Sequence, residues 1–500
     1  MYKTSIRFFL CTLVLFFSSQ AVTHGLISGQ KIKPIKIKSL KVMPFKKIPL
    51  HDEFPNHITF PSTFLKGCAL SAFQNGGHLV GTESNWSQWE KKEIRCNAQN
   101  LRLYPGSTIA KNHRVSVSND FYTHAFEDIQ LLKDLGCNSL RFSVEWADIE
   151  PREGEFNYEL LLWYRSFCQA LLDNGIVPMV TLYHFVHPLW FEKKGGFEHG
   201  KNIADFVDYC KVVFEYVGDV VPLWCTINEP TVLGACGYVL GIHPPGALFA
   251  FRRAAILLAN LLRAHVVVYQ ELKKMPHGQE AKIGFAHQMI LFEPYLYVWK
   301  MPFFGGISFS DPFSRALAAG MSHIFCHSLV MEFFRTGNYE YQLPMGKNIR
   351  MSIPSAPESI DFFGLNFYSN VTLAPHPTCY AQETMTEMDY PVRPHKMYEA
   401  LREVAMLGKP IYITENGLSD SKDVHRPYFI KSYLSAVHRA VQEGCDIRGY
   451  YHWTLMDNFE WSEGYTKNFG LYAVDFNDPL RTRTPRSSCK VYRDFMAIAA

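Results

Sequence analysis

Two glutamates carry the strongest chemical signal in this chain. Glu229 follows the apolar run Leu223–Ile227 within Asn228-Glu229-Pro230, and Glu415 follows Ile411–Thr414 within Glu415-Asn416-Gly417. Each carboxylate stands just past a short apolar segment and beside an asparagine. Two carboxylates that converge suit cleavage of a glycosidic bond. One protonates the leaving oxygen; the other attacks, or activates water, as positive charge builds on the sugar. Either glutamate alone fits equally well as half of a structural ion pair with arginine. The pair in matching settings favours chemistry. Gln74, Arg141, Glu145, His184, Asn366, Tyr368 and Trp453 also stand at or just past the ends of apolar runs.

Eight such runs would position these residues. They are Leu65–Leu70, Ser139–Val144, Pro178–Tyr183, Leu223–Ile227, Lys282–Ala286, Asp361–Leu365, Ile411–Thr414 and Arg448–Trp453. Most are apolar on both faces, as strands buried in a parallel sheet must be. Amphipathic stretches lie between several of them, among them Ala125–Leu135, Phe206–Val217 and Tyr428–Glu443. Phe126, Ile129, Leu132 and Leu135 recur at helical spacing in the first. The alternation predicts an α/β fold, a single (β/α)8 TIM barrel with elaborated βα loops, spanning 59–500. The polar segments 91–119 and 370–396 fit added loops. In such a barrel the functional groups gather at the C-terminal ends of the strands, and the fourth and seventh strands face each other across the mouth.

With these residues assembled, the chain resembles glycoside hydrolase family 1, the β-glucosidase family, over roughly residues 60–495. Trp224-Cys225-Thr226-Ile227-Asn228-Glu229-Pro230 looks like its acid/base motif, and Ile411-Tyr412-Ile413-Thr414-Glu415-Asn416-Gly417 like its nucleophile motif. Phe64–Gln74 resembles the first-strand signature and Arg141–Trp146 the second. Asp457-Asn458-Phe459-Glu460-Trp461 with Gly464-Tyr465 looks like the loop that grips the sugar. The resemblance implies a retaining β-glycosidase acting on unphosphorylated β-glucosides or β-galactosides. Glu229 would be acid and then base, and Glu415 the nucleophile, the two carboxyls about 5–5.5 Å apart. Arg141 would keep Glu415 ionised and Tyr368 would donate to it. Gln74, His184, Asn228 and Glu460 would bond sugar hydroxyls, Trp453 would lie beneath the ring, Trp461 would make an edge contact, and Asn366 would support them. The charge of Glu460 would repel a phosphate. Other outcomes on the same fold are a catalytically weak sugar- or protein-binding member, or a transglycosidase; the presence of both glutamates, Arg141 and Asn228 favours the hydrolase. The chain departs from the family pattern at Phe185, where Trp is frequent, and at Val186-His187-Pro188, where Asp-Leu-Pro is usual.

Composition agrees with a folded enzyme. The 500 residues are 47% hydrophobic and 19% charged, which excludes a disordered chain. The formal charge of +3 is misleading. Residues 1–50 hold nine basic side chains and no acidic one, leaving 41 basic against 47 acidic for residues 51–500. Such a body has no field to draw nucleic acid. Lys3 and Arg7 flank the apolar run Phe8–Phe17, and Ser19-Gln20-Ala21 offers small residues for cleavage, so residues 1–21 read as a secretory signal, with an uncleaved anchor as the rival. Export would be to a periplasm or the exterior. Residues 22–58 read as a basic linker, with contact to an anionic membrane surface as the alternative. Twelve cysteines form no CxxC pair and no zinc-spaced cluster, so neither metal nor cofactor is expected, and most thiols should act as small buried apolar groups. His184 and His187 are three apart, but Pro188 is expected to end the local structure. Asn85-Trp86-Ser87 and Asn370-Val371-Thr372 are glycosylation sequons. Oligomeric state and aglycone are left open by the sequence.

Overall fold

All eight apolar runs become strands of one closed parallel barrel in the computed structural model, which describes residues 54–79, 81–94, 106–294, 297–301, 305–310, 312–373 and 384–499. In chain order they are β1 (Leu65–Ala69), β2 (Ser139–Ser143), β3 (Val177–Tyr183), β4 (Leu223–Asn228), β5 (Lys282–Gln288), β6 (Phe362–Asn366), β7 (Ile411–Asn416) and β8 (Ile447–Trp453). Each strand pairs with its sequence neighbours, and β8 closes onto β1. Each is followed by a helix: α1 (Phe121–Asp134), α2 (Tyr158–Asp173), α3 (Ile203–Val217), α4 (Phe251–Leu272), α5 (His327–Thr336), α6 (Pro394–Val404), α7 (Arg426–Gln442) and α8 (Ser487–Phe495). This is the (β/α)8 barrel. The expected signal segment, and the linker up to residue 53, lie outside the described residues.

The strands are buried on both faces because they separate two apolar layers. Ala69, Met179, Cys225, Ala286, Phe362, Tyr412 and Trp453 fill the barrel interior. The large outer layer packs strands against helices and includes Leu140, Phe142, Val180, Trp224 and Ile413. The helix expected from Ala125 begins four residues earlier, at Phe121. Phe126 is not a core residue as its spacing implied: it is 43% exposed and meets Trp163 and Phe167 only through ring contacts. Pro188 does not end local structure but precedes the short helix Leu189–Lys193. Proline tolerates the start of a helix because its missing N–H has no partner there anyway.

The ends of the chain close the N-terminal side. Ile58–Phe60 pairs in parallel with Met496–Ile498. Phe54 packs its ring edge-on to Tyr428 and Phe495. Lys66 on β1 is buried, and its ammonium donates to the carbonyls of Arg493 (3.1 Å) and Met496 (2.9 Å). Burial lowers its pKa, and those two carbonyls give it partners where water is excluded.

Eight of the nine described cysteines are buried and all nine are free, consistent with thiols used as apolar filling. Neither sequon presents its amide to solvent. Asn85 Nδ2 donates to the Phe185 carbonyl (3.0 Å), and Asn370 Nδ2 to Glu293 (2.8 Å), with both residues buried. Among the described residues, no single helix is long and apolar enough to cross a membrane.

Candidate active site

The catalytic candidates converge at the C-terminal mouth of the barrel, where the strands deliver them. Glu415 lies within the end of β7. One carboxylate oxygen accepts from Arg141 Nη1 at 2.6 Å and the other from the Tyr368 hydroxyl at 2.7 Å. Arg141, on β2, is 1% exposed and uses all three guanidinium nitrogens: it also donates to the Thr414 carbonyl, the Thr181 hydroxyl and Asn228 Oδ1 (2.6 Å). Burial opposes its charge, the Glu415 carboxylate supports it, and the net effect holds its pKa above the ordinary value. The fixed, planar fork is why arginine suits this place.

Glu229 sits where β4 turns into a helix at Pro230, with φ at +45°. A left-handed backbone is uncommon for a residue with a side chain and costs of order 1–3 kcal/mol, so the surrounding structure must impose it. Its amide still donates to the Ala286 carbonyl on β5 (2.8 Å), and its carboxyl accepts from Asn366 Nδ2 at 2.7 Å. Burial first, and the charge of Glu415 second, push its pKa well above the carboxylate range. The two glutamates therefore have opposed settings, one cradled by a cation and the other kept from ionising. Strands β5 and β6 stand between β4 and β7, and the carboxylates are linked through side chains: Arg141 holds Glu415 and Asn228, and Asn366 holds Asn228 and Glu229. Asn366 is thus bonded directly to Glu229, closer to the chemistry than the supporting place expected of it.

The same network orients the other polar groups. Asn228 Oδ1 accepts from Arg141 and Asn366, so its Nδ2 faces His184 Nε2 at 3.2 Å. His184 Nε2 is then an acceptor and the ring proton is on Nδ1, which meets no protein partner. Burial, with Arg141 adding to it, lowers the His184 pKa and keeps the ring neutral. Its ring lies nearly parallel to those of Trp453 (6.1 Å, 20°) and Trp461 (5.9 Å, 20°). Trp461 is embedded among Phe73, Trp86 and Phe185. Trp453 at the end of β8 completes the inner layer with Phe469, Tyr368 and Met388 beside it. Gly417 is required by this tryptophan, since a Cβ there would lie 1.8 Å from the Trp453 carbonyl oxygen.

Gln74 is carried by a short helix capped by Ser71, and its amide donates to the Phe459 carbonyl and to Glu460. Glu460 is half-buried; its partial desolvation, then the charge of Glu415, raises its pKa to about 8. It is therefore mostly protonated at neutral pH and does not present the full negative charge expected of it. Glu145, at the end of β2, caps the next helix through the Ala147 amide and joins no sugar-site contact. Thr414 was missed as an individual residue although it belongs to the nucleophile motif; its hydroxyl fixes Asn366 (2.6 Å). Tyr390 was missed because it lies in a polar segment without periodicity, and its ring stands 6.4 Å from that of Tyr368. Among the described residues no group of His, Cys, Asp or Glu has the arrangement of a metal site. A separate apolar cavity of about 460 Å³, lined by Phe249, Phe251, Leu343 and Met345 among others, contains neither glutamate.

A parallel eight-stranded barrel with two carboxyls in contrasting settings at its mouth has the arrangement of a glycosidase. Residues 56–299 and 355–499 match Glycosyl hydrolase family 1, and the chain belongs to that family. Beta-glucosidase A of Thermotoga maritima is 33% identical over 451 residues, covering 84% of this chain and 94% of that protein. Beta-glucosidase A of Acetivibrio thermocellus is 31% identical over 450 residues, with the same coverages. Among solved structures, a beta-glycosidase from Pyrococcus horikoshii superposes with a TM-score of 0.71 at 32% identity, covering 87% of this chain and 94% of that one. The Thermotoga maritima beta-glucosidase in complex with deoxynojirimycin gives 0.73 at 28% identity, covering 87% and 98%. The chain is a retaining β-glycosidase, acting on O-glycosyl bonds.

Proposed function

We propose that this enzyme hydrolyses unphosphorylated β-glucosides or β-galactosides, with Glu415 as nucleophile and Glu229 as acid and then base. The observation that carries the assignment is the contrast in setting: Glu415 takes a guanidinium and a phenol hydrogen bond, while burial and that same charge keep Glu229 protonated. In the first step a Glu415 oxygen attacks the anomeric carbon. The bond to the leaving oxygen breaks, and that oxygen takes the Glu229 proton. The glycosyl ester consumes the Glu415 charge, which removes the largest cause of the raised Glu229 pKa after burial. Glu229 then takes a proton from water as the water attacks the same carbon. Glucose or galactose leaves with its β configuration, and both carboxyls return to their starting states. In this reading Asn228 bonds the sugar 2-hydroxyl, the free His184 Nδ1–H bonds a neighbouring hydroxyl, and Trp453 lies against the ring face. A panel of aryl glycosides varied in sugar and anomer tests the reading: β-glucoside or β-galactoside should be cleaved fastest, and preference for an α-anomer would reject it.

Exclusion of 6-phosphosugars follows from the lack, among the described residues, of a cation acting on Glu460 rather than from a full charge on Glu460 itself. Glu415 and Glu463 are the charged groups that act on Glu460, and Lys467 on the same loop turns to the Glu387 carbonyl and towards Glu463. A phosphate dianion would be desolvated there without a counter-charge. The free glycoside should therefore exceed its 6-phosphate in kcat/KM by at least about 100-fold, the factor that ~3 kcal/mol of unpaired burial represents; equal efficiencies would reject it.

Export is read from the sequence of residues 1–21 alone. N-terminal sequencing of protein recovered outside the cytoplasm should find a chain beginning near Val22; an intact Met1 would instead identify an uncleaved anchor.

A further inference from the structure

Three residues beyond His184 lies a second buried imidazole that the catalytic scheme does not use. His187 is 5% exposed and walled by the rings of Trp146, Tyr183, Phe191 and Phe197. Its Nε2 is 2.9 Å from Glu192 Oε2, and its Nδ1 is 3.0 Å from the Tyr183 hydroxyl. Nε2–H donates to the carboxylate, so in the neutral ring Nδ1 accepts from Tyr183. Burial raises the Glu192 pKa, and the hydrogen bond from His187, with the charges around it, more than offsets that effect. Both partners sit on fixed elements: Tyr183 is the last residue of β3, and Glu192 is on the helix Leu189–Lys193.

Between these anchors runs the segment His184-Phe185-Val186-His187. Its backbone is held from the other side by Asn85, whose amide N–H donates to the His187 carbonyl, whose Oδ1 accepts from the His187 N–H, and whose Nδ2 donates to the Phe185 carbonyl. Phe185 has φ at +70°, a conformation that a large side chain rarely adopts unless it is imposed. The segment is thus tied at both ends, and His184 leads out of it towards Asn228 and the parallel tryptophan rings.

We propose that His187 is a positioning residue for glycone recognition: clamped between Tyr183 and Glu192, it fixes the turn that aims His184 at the sugar. The proposal rests on His184 meeting the glycone. Because His187 touches no substrate, its influence must pass through His184 and the Asn228 amide bonded to it. An error of about 1 Å in such a group can cost ~10²-fold in rate.

The test measures kcat, KM and deoxynojirimycin inhibition for His187→Ala, His187→Gln, Glu192→Gln, His184→Ala and the double variant H184A/H187A. His187→Ala should lose ~10- to 100-fold in kcat/KM, with inhibitor affinity falling in parallel. His187→Gln, whose amide reaches Glu192 from the place of Nε2, should recover most of that loss. Glu192→Gln, a milder change on a partly exposed side chain, should give a smaller loss of the same kind and serves if His187→Ala does not fold. In the His184→Ala background the His187→Ala effect should nearly vanish. Unchanged kcat/KM and inhibition with only a lower Tm, or a full multiplicative loss in the double variant, would overturn the positioning role. Wild-type efficiency in His184→Ala alone would instead overturn the sugar-contact reading on which it rests.

Discussion

Glu415→Ala should lower turnover of an aryl β-glucoside by about 10⁶-fold, the scale seen when a covalent nucleophile is removed from an intact site. Among the described residues, this carboxylate alone is held by both the Arg141 guanidinium and the Tyr368 hydroxyl, and no neighbouring acid is set to replace it. Glu229 is kept protonated and bonded to Asn366, and Glu460 is engaged with Gln74. Alanine also leaves space beside the anomeric carbon. Added azide should enter it and return part of the turnover as the α-glycosyl azide, because attack now comes once, with inversion. The variant leaves Arg141 buried without its anion, and breaking such a pair costs ~3–5 kcal/mol. Glu415→Gln keeps the shape and separates lost chemistry from lost stability by a melting curve. Wild-type-like hydrolysis in a folded Glu415→Gln protein would remove Glu415 from the mechanism.

Glu229→Ala should show a different signature, because general acid catalysis matters in proportion to the basicity of the leaving group. For an alkyl glucoside the loss should reach ~10²–10⁴-fold, the span of general acid–base catalysis. For a dinitrophenyl glucoside the first step should be nearly intact, and the glycosyl-enzyme should accumulate for want of a base, visible as a burst. Equal losses on both substrates would reject the acid role. The pH profile carries the same information. A raised Glu229 pKa means that activity extends to higher pH than an ordinary carboxyl would allow and falls as pH rises through that pKa. Since the Glu415 charge is the second cause of the shift, Glu415→Gln should move the Glu229 titration downward, measurable by carboxyl infrared or NMR difference spectra. No movement would mean that the two carboxyls do not interact, and the switch from acid to base would lose its physical cause.

Much of this was legible without coordinates, for local reasons. Short runs apolar on both faces, separated by longer amphipathic stretches, fit strands buried in a parallel sheet, and all eight were found with ends within one or two residues, as β4 (Leu223–Asn228) and β7 (Ile411–Asn416) illustrate. Residues just past such runs must emerge at one rim of the barrel, so Glu229, Glu415, His184 and Trp453 were assigned to one site from position and motif alone. Helix faces were less certain. Phe126 fits the apolar spacing of α1 yet lies at its edge, because helical periodicity gives a stripe and not its margin.

What the sequence by itself determined was the set of chemical groups and the face on which they meet. Only the tertiary structure decided their states, because ionisation depends on burial and on neighbours far away in the chain. Arg141 and Glu415 are 274 positions apart, and Asn366 and Glu229 are 137 apart. The sequence assigned Glu460 a charge; its partial burial beside Glu415 takes most of that charge away at neutral pH. The sequence made His187 a departure from the family pattern followed by a helix breaker. The fold instead places it between Tyr183 and Glu192 and starts a helix at Leu189, since a proline ahead of a helix forfeits no hydrogen bond.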